Sequence, residues 1–189
     1  ELSACGYFIR REELLAAALT AGEQGEKMAA TAKKYGISLI FGYPERDGET
    51  IYNSCLAVGE DGSCIQNIRK VNLWKSEKKR FSEGRDFPVF ETCAGRTAAV
   101  LCYDLEFPEP ARIVSMNGAR LIFCPAAWSF AAERRLSFWM ARIMRMGFGS
   151  WQIPFRFISR KKRLPLFSVF WGIRNIGGWQ SRFFPLRRR

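Results

Sequence analysis

Among the side chains of this sequence, Cys102 is the one whose neighbours suit it to nucleophilic chemistry. It closes an apolar run, Ala98-Ala99-Val100-Leu101, and is followed by polar residues and then by Phe107-Pro108, which open a segment carrying Glu109 and Arg112. A cysteine at such a strand-to-helix elbow is held rigidly at a sheet edge. The backbone N–H of Tyr103 lies beside it, where it can donate to a developing oxyanion. The 189 residues contain no histidine, which excludes Ser-His-Asp and Cys-His machinery, so the thiol needs a different base. The lack of histidine also argues against a zinc site, as do six widely scattered cysteines without a Cys-x-x-Cys pair. That scatter fits a reducing, cytoplasmic setting rather than a disulfide scaffold. By pattern alone, the reading of Cys102 as a small buried hydrophobe is the stronger one.

The elements that would position this residue can be read from periodicity. Residues 11–35 read as helix, with Leu14, Leu15, Ala18 and Leu19 at helical spacing, then Met28, Ala29 and Ala32; Gly22 and Gly25 are expected to break it in two, and Gly36 to end it. Ile37 to Gly42 is a short β-branched apolar run bounded by glycines, hence a strand. Glu45-Arg46-Asp47-Gly48 is expected to turn, Ile51 to Val58 to form the next strand, and Glu60-Asp61-Gly62 to make a hairpin into Cys64–Val71. Residues 72–87 read as a polar loop. Phe87–Glu91 and Thr97–Cys102 read as strands across a turn at Gly95, Pro108–Asn117 as a helix and Arg120–Pro125 as a last strand. This order implies an α+β or α/β domain, a mixed sheet with helices on its outer face.

Three separated segments together resemble the nitrilase superfamily of carbon–nitrogen hydrolases. Cys102-Tyr103-Asp104-Leu105-Glu106-Phe107-Pro108-Glu109, with Arg112, is similar to the nucleophile motif of that family. Arg69-Lys70-Val71-Asn72-Leu73 resembles its lysine motif, and Glu1-Leu2-Ser3-Ala4-Cys5-Gly6-Tyr7 the segment that carries its catalytic acid. The resemblance implies a Glu-Lys-Cys triad of Glu1, Lys70 and Cys102. Glu77 takes a supporting position ahead of a Phe81-x-x-Gly84 turn, the Tyr103 N–H helps hold the oxyanion, and Tyr7 and Trp128 are candidate substrate contacts. Taken singly, Lys70 and Glu77 read as solvated charges and Glu1 as a loose end; their joint order and spacing set them apart. The implied fold is a four-layer αββα sandwich, only partly present in this chain. The implied activity is hydrolysis of a small amide or N-carbamoyl compound, with no metal or organic cofactor and with a homo-oligomeric parent. Tyr103-Asp104 after the cysteine favours amides over nitriles, for which the family tends to have Trp-Glu. Asn72 departs from the histidine found in many members.

The resemblance runs through residues 1–128 and is expected to stop there. Residues 1–128 hold 16 basic against 17 acidic residues, whereas residues 129–189 hold 14 basic against one acidic, so the whole net charge of +12 sits in the last third. That segment also carries thirteen aromatics and no clean periodicity. An out-of-frame translation beginning near residues 129–135, in a chain truncated at both ends, accounts for this change and implies an inactive fragment. The competing reading is a binding protein that grips nucleic acid or an anionic surface through Arg160-Lys161-Lys162-Arg163. Against it, the tail has no nucleic-acid motif and no amphipathic period. Its longest apolar run, Leu164 to Ile173, is too short to span a bilayer, which takes roughly 18 residues or more.

Overall fold

Side-chain alternation along the central strands builds two stacked sheets. The computed structural model describes residues 1–127 and the strand at 167–172. The first sheet is antiparallel, in the order β1 (Leu39–Asp47), β2 (Thr50–Val58), β3 (Cys64–Arg69). The second runs β4 (Val89–Thr92), β5 (Gly95–Ala99), β6 (Leu121–Ala126), β7 (Phe167–Gly172). Here β5 and β6 are parallel, joined by the crossover helix α3 (Pro108–Met116), and the other pairs are antiparallel.

Period-two burial assigns each strand residue to a layer. Cys55, Ala57 and Ile68 of the first sheet meet Phe90, Ala99 and Leu101 of the second in an apolar seam between the sheets. Their alternates, Tyr43, Leu56 and Val58, face outward and pack with Ala32 of α2 (Ala21–Tyr35). On the other side Ala98, Ile122, Cys124 and Ala126 pack with Ala111 and Val114 of α3. The layers therefore run α, β, β, α. The element order alone pointed to one mixed sheet; the alternation splits it into two, as the family resemblance implied.

Several boundaries differ from the sequence reading. The helical stretch breaks at Ala18–Thr20 rather than at Gly22 and Gly25, giving α1 (Arg11–Ala17) and α2. Thr20 caps α2: its hydroxyl accepts the Glu23 N–H at 3.2 Å while Glu23 Oε2 accepts the Thr20 N–H at 2.8 Å. This reciprocal cap fixes the start of α2 two residues before Gly22. Gly25 then lies inside the helix, packed on Cys64 and Leu56. β1 also runs on to Asp47, so Glu45 and Arg46 are strand rather than turn. Its Pro44 is tolerated because β1 is an edge strand. That edge is partly covered by Leu19, which pairs with Pro44 O and the Arg46 N–H. Within residues 72–87, Lys75–Lys79 form a 3-10 turn. β7 completes β6 from within a segment where the sequence showed no period. The rest of 128–189, with the Arg160–Arg163 cluster and the expected change of character near residues 129–135, lies outside the described residues. Among the described residues no helix is long and apolar enough to cross a membrane.

A charged network ties the three strands of the first sheet together. Buried Glu45 accepts the Ser54 hydroxyl at 2.6 Å and both Arg69 Nε and a terminal Arg69 nitrogen, at 3.0 and 2.6 Å. The Arg69 guanidinium also stacks 3.9 Å above the Tyr52 ring. This braces the strand end from which Lys70 projects.

Two glycines give opposite expectations. A Cβ on Gly42 would come within 2.5 Å of Leu2 N and 2.9 Å of the Glu1 backbone, whereas on exposed Gly22 of α2 it would meet the Thr20 hydroxyl at an ordinary contact distance of 4.0 Å. Gly42→Ala should therefore destabilise the fold by about 1–3 kcal/mol through overpacking. Gly22→Ala should stabilise it by about 0.5–1 kcal/mol through helix propensity. Urea unfolding midpoints of the two variants check both signs.

Candidate active site

Four segments converge at the ends of the two sheets, and each is fixed by its backbone. Residues 1–4 dock on β1: the Ala4 N–H donates to Gly42 O at 3.1 Å, and the Ser3 hydroxyl bridges the Gly42 N–H and C=O. Lys70 follows β3; its N–H donates to Asn53 O at 2.8 Å and its carbonyl accepts the Gly84 N–H at 2.7 Å. Gly84 lies so close to Arg69 that a Cβ there would meet the Arg69 carbonyl oxygen at 2.5 Å, which explains the glycine of the Phe81-x-x-Gly84 turn. Glu77 sits on the 3-10 turn and accepts the Trp74 N–H at 2.7 Å. Cys102 begins a second 3-10 turn, Cys102–Glu106, three residues beyond β5, in place of the expected strand end.

The Cys102 backbone is in the left-handed region, with φ at 44°. For a residue bearing a Cβ this costs of order 1–3 kcal/mol and persists only where surrounding packing imposes it. The first hydrogen bond of the turn is from Asp104 N–H to Leu101 O, so the Tyr103 N–H is not used to close it.

At the centre lies a dry polar cluster. The Lys70 ammonium donates to Glu1 Oε1 at 2.5 Å and to Glu77 Oε2 at 2.7 Å. The Asn53 amide donates to the remaining Glu77 oxygen and to Glu1 Oε1, both at 2.9 Å. Lys70 and Asn53 are wholly buried, Glu77 is 1% exposed, Glu1 4% and Cys102 7%. Glu1 Oε2 is buried without a hydrogen-bond partner, so it retains acceptor capacity beside the Cys102 thiol.

Burial works against ionisation of Glu1, but the Lys70 charge and the Lys70 hydrogen bond, with the Cys102 thiol nearby, outweigh it, and the carboxyl lies below its usual range. Glu77 moves the other way: burial, together with the negative charge of Glu1, exceeds the pull of Lys70 and raises it. For Lys70, burial is overcome by Glu1, Cys102 and Glu77, and its affinity for the proton rises. Cys102 is pushed up by burial and by Glu1, so the resting group is a thiol. Tyr7 is drawn into the same field; burial, Glu77, Glu1 and Cys102 all raise its hydroxyl.

The structure thus brings together Glu1, Lys70, Glu77, Cys102, Tyr103 and Tyr7, while Trp128 lies outside the described residues. Sequence reasoning assigned no role to Asn53, which bridges the two glutamates, or to Asp104, whose buried carboxylate accepts hydrogen bonds from residues 71 and 72. The available signal was polarity in apolar surroundings: Asn53-Ser54 interrupts the otherwise largely apolar run of the central strand.

A family model described as carbon–nitrogen hydrolase matches residues 1–156. The chain belongs to the carbon–nitrogen hydrolase family. A probable nitrilase of Schizosaccharomyces pombe is 40% identical over 110 residues, covering 57% of this chain and 40% of that protein. The omega-amidase NIT2 of Homo sapiens is 34% identical over 118 residues, covering 57% and 43%. Among solved structures, Nit3 of Saccharomyces cerevisiae, a member of branch 10 of the nitrilase superfamily, aligns with a TM-score of 0.59 at 26% identity over 66% of this chain and 49% of that one. The carbon–nitrogen hydrolase of Helicobacter pylori G27 aligns with a TM-score of 0.57 at 27% identity, over 66% and 46%. The described part of the chain is thus a partial nitrilase-type sandwich, and the chain spans less than half the length of these curated relatives.

Removing the cation should expose the cost of the cluster. In Lys70→Met, Glu1 and Glu77 lose their partner and stay buried, so their folded-state affinities for the proton rise above the unfolded value near 4.5. A group raised in the folded state contributes stability that is present below its unfolded pKa and lost as pH rises. The variant should therefore lose about 3–5 kcal/mol at about pH 7 and markedly less at about pH 4. Urea unfolding of wild type and variant at the two pH values measures the difference.

Proposed function

We propose that this fold hydrolyses the carbon–nitrogen bond of a small amide or N-carbamoyl compound through a thioester on Cys102. The observation that carries the reading is the buried Lys70 ammonium held between Glu1 and Glu77 beside the cysteine turn.

The resting thiol is neutral, so its proton must leave as attack begins. Glu1 is ionised and has an uncommitted oxygen for that proton. General-base help of this kind is worth typically about 10²–10⁴-fold. As the C–S bond forms, the carbonyl electron pair moves onto oxygen, where Lys70 and the Tyr103 N–H donate to it; losing one such donor typically costs about 10²–10³-fold. Collapse of the tetrahedral species breaks the C–N bond, and the leaving nitrogen takes the proton from Glu1. Water then gives its proton to Glu1 while attacking the thioester. The C–S bond breaks, the acid departs, and Glu1 returns the proton to sulfur.

Glu77 orients the Lys70 ammonium, leaving its remaining N–H to aim at the oxyanion. Burial serves the same end, since these interactions act without competing water. Tyr7 borders the cluster from the N-terminal segment and would contact substrate. The human relative's name, omega-amidase, supports an amide; the fission-yeast relative's name, probable nitrilase, makes nitriles the alternative.

Ammonia release from small aliphatic amides, N-carbamoyl amino acids and nitriles should be compared across wild type, Cys102→Ala and Glu1→Gln. Cys102→Ala should abolish turnover, and Glu1→Gln should lower kcat by about 10²-fold or more. Mass spectrometry of acid-quenched wild type should show the acyl group on the Cys102 peptide. Undiminished turnover in Cys102→Ala would overturn the mechanism, and turnover of nitriles alone would overturn the amide assignment.

A further inference from the structure

Asp104 stands apart from the acid–lysine cluster, yet it is just as deeply buried, at 0% exposure. Its carboxylate accepts three hydrogen bonds, all from the two residues that follow Lys70. Oδ1 takes the Asn72 N–H at 2.6 Å and the Asn72 side-chain amide at 2.9 Å, and Oδ2 takes the Val71 N–H at 3.3 Å. Asp104 is two residues past Cys102, within the 3-10 turn that Cys102 opens with its left-handed backbone. One side chain therefore fastens the turn carrying the thiol to the segment carrying the ammonium.

We infer that Asp104, with Asn72, is a positioning residue that locks the cysteine turn against the lysine segment and so fixes the thiol relative to the Lys70 ammonium. The inference rests on the hydrolase reading above for its kinetic consequence, but not for its structural one. Charge-assisted bonds to a buried carboxylate are short and directional, and they resist the displacement that would relax φ at Cys102. Two of the three donors are backbone N–H groups, so the clamp holds main chain to main chain through a single side chain. The Asn72 amide supplies the third bond and satisfies an oxygen that would otherwise be partly unpaired.

The groups facing Asp104 are Lys70 from the end of β3, Cys124 from β6 and Cys102 on its own turn. All three have their proton affinities pushed up by their surroundings. Burial raises Asp104 to about 6 against the bonds from Asn72 and Val71, so within this set it is the group that takes up a proton in mildly acidic solution. Protonation replaces an acceptor oxygen with a hydroxyl facing N–H donors, and the clamp loosens below that pH.

The test compares wild type with Asp104→Asn and Asn72→Ala in the full chain. Two readouts are used: steady-state amide hydrolysis, and the rate at which iodoacetamide alkylates Cys102, followed by peptide mass spectrometry. Asp104→Asn should lower kcat by about 10–100-fold, the penalty of a small misplacement. KM should change by less than about threefold, since the lost interaction serves the reacting atoms and not binding. The wild-type fall in kcat below about pH 6 should be missing from this variant. Alkylation of Cys102 should accelerate about tenfold as the turn opens locally. Asn72→Ala, which keeps both backbone donors, should show the same changes at smaller size, and it serves if Asp104→Asn does not fold. Wild-type kcat, acid limb and alkylation rate in a folded Asp104→Asn would overturn the clamp. So would an unchanged alkylation rate in Asn72→Ala where Asp104→Asn is unfolded. If wild type turns over no amide, the hydrolase reading fails, and the alkylation rates alone decide the clamp.

Discussion

Everything in the described fold is arranged around one buried ammonium and two carboxylates. Taking such ions out of water costs several kcal/mol each, and their mutual attraction repays it only when geometry is close and the remaining lone pairs are used. Lys70 meets the geometric part of that demand through two carboxylate contacts, and Asn53 ties one oxygen of each glutamate to the other, while Glu1 Oε2 is left without a hydrogen-bond partner. The cluster contributes little to stability for its size. Its effect is to hold charge, already desolvated, at the point where a carbonyl oxygen would become negative. The sandwich supplies the dryness: an apolar seam between the sheets, a helix on each outer face, and glycines at 42 and 84 where backbone must approach backbone.

The two sheets contribute different things. The first provides the rigid floor, with Asn53 on its central strand and Lys70 at the end of its last, braced by the Glu45–Arg69 pair. The second provides the cysteine, on a turn that leaves β5 in a strained conformation. Neither sheet holds a working site alone. The link between them is local and polar, through Asp104, whereas the packing that presses them together is apolar and spread over many side chains. That division suits each task, because apolar packing tolerates small adjustments and directional hydrogen bonds do not.

Much of this was legible before any coordinates, for identifiable reasons. Lys70, Glu77 and Cys102 could be singled out because the motifs around them resemble those of a known family, in the family's order. Helix and strand centres followed from periods of 3.6 and 2. The break between α1 and α2 was misplaced because glycine propensity was weighed above the Thr20–Glu23 cap, and Gly25 proved to be a packing residue against β3. The turn expected at Glu45–Gly48 begins only at Gly48, because three polar residues resembled a loop while Glu45 was buried by its pairing with Arg69, visible only in three dimensions. Asn53 and Asp104 were missed for the same reason: their partners lie 52 and 32 positions away. Local sequence carries no record of such a meeting.

The docking of residues 1–4 on Gly42 has a consequence for how the molecule comes to work. Glu1 and Lys70 meet across 69 positions, and the first residues are held by hydrogen bonds to Gly42 of an edge strand and by Leu2, buried against Leu14, Leu73 and Phe81. Contacts between such distant parts of a chain form late, after the loop-closure entropy of everything between them has been met. The site thus has an assembly order written into its topology, with the Glu1 carboxylate among the last components to arrive.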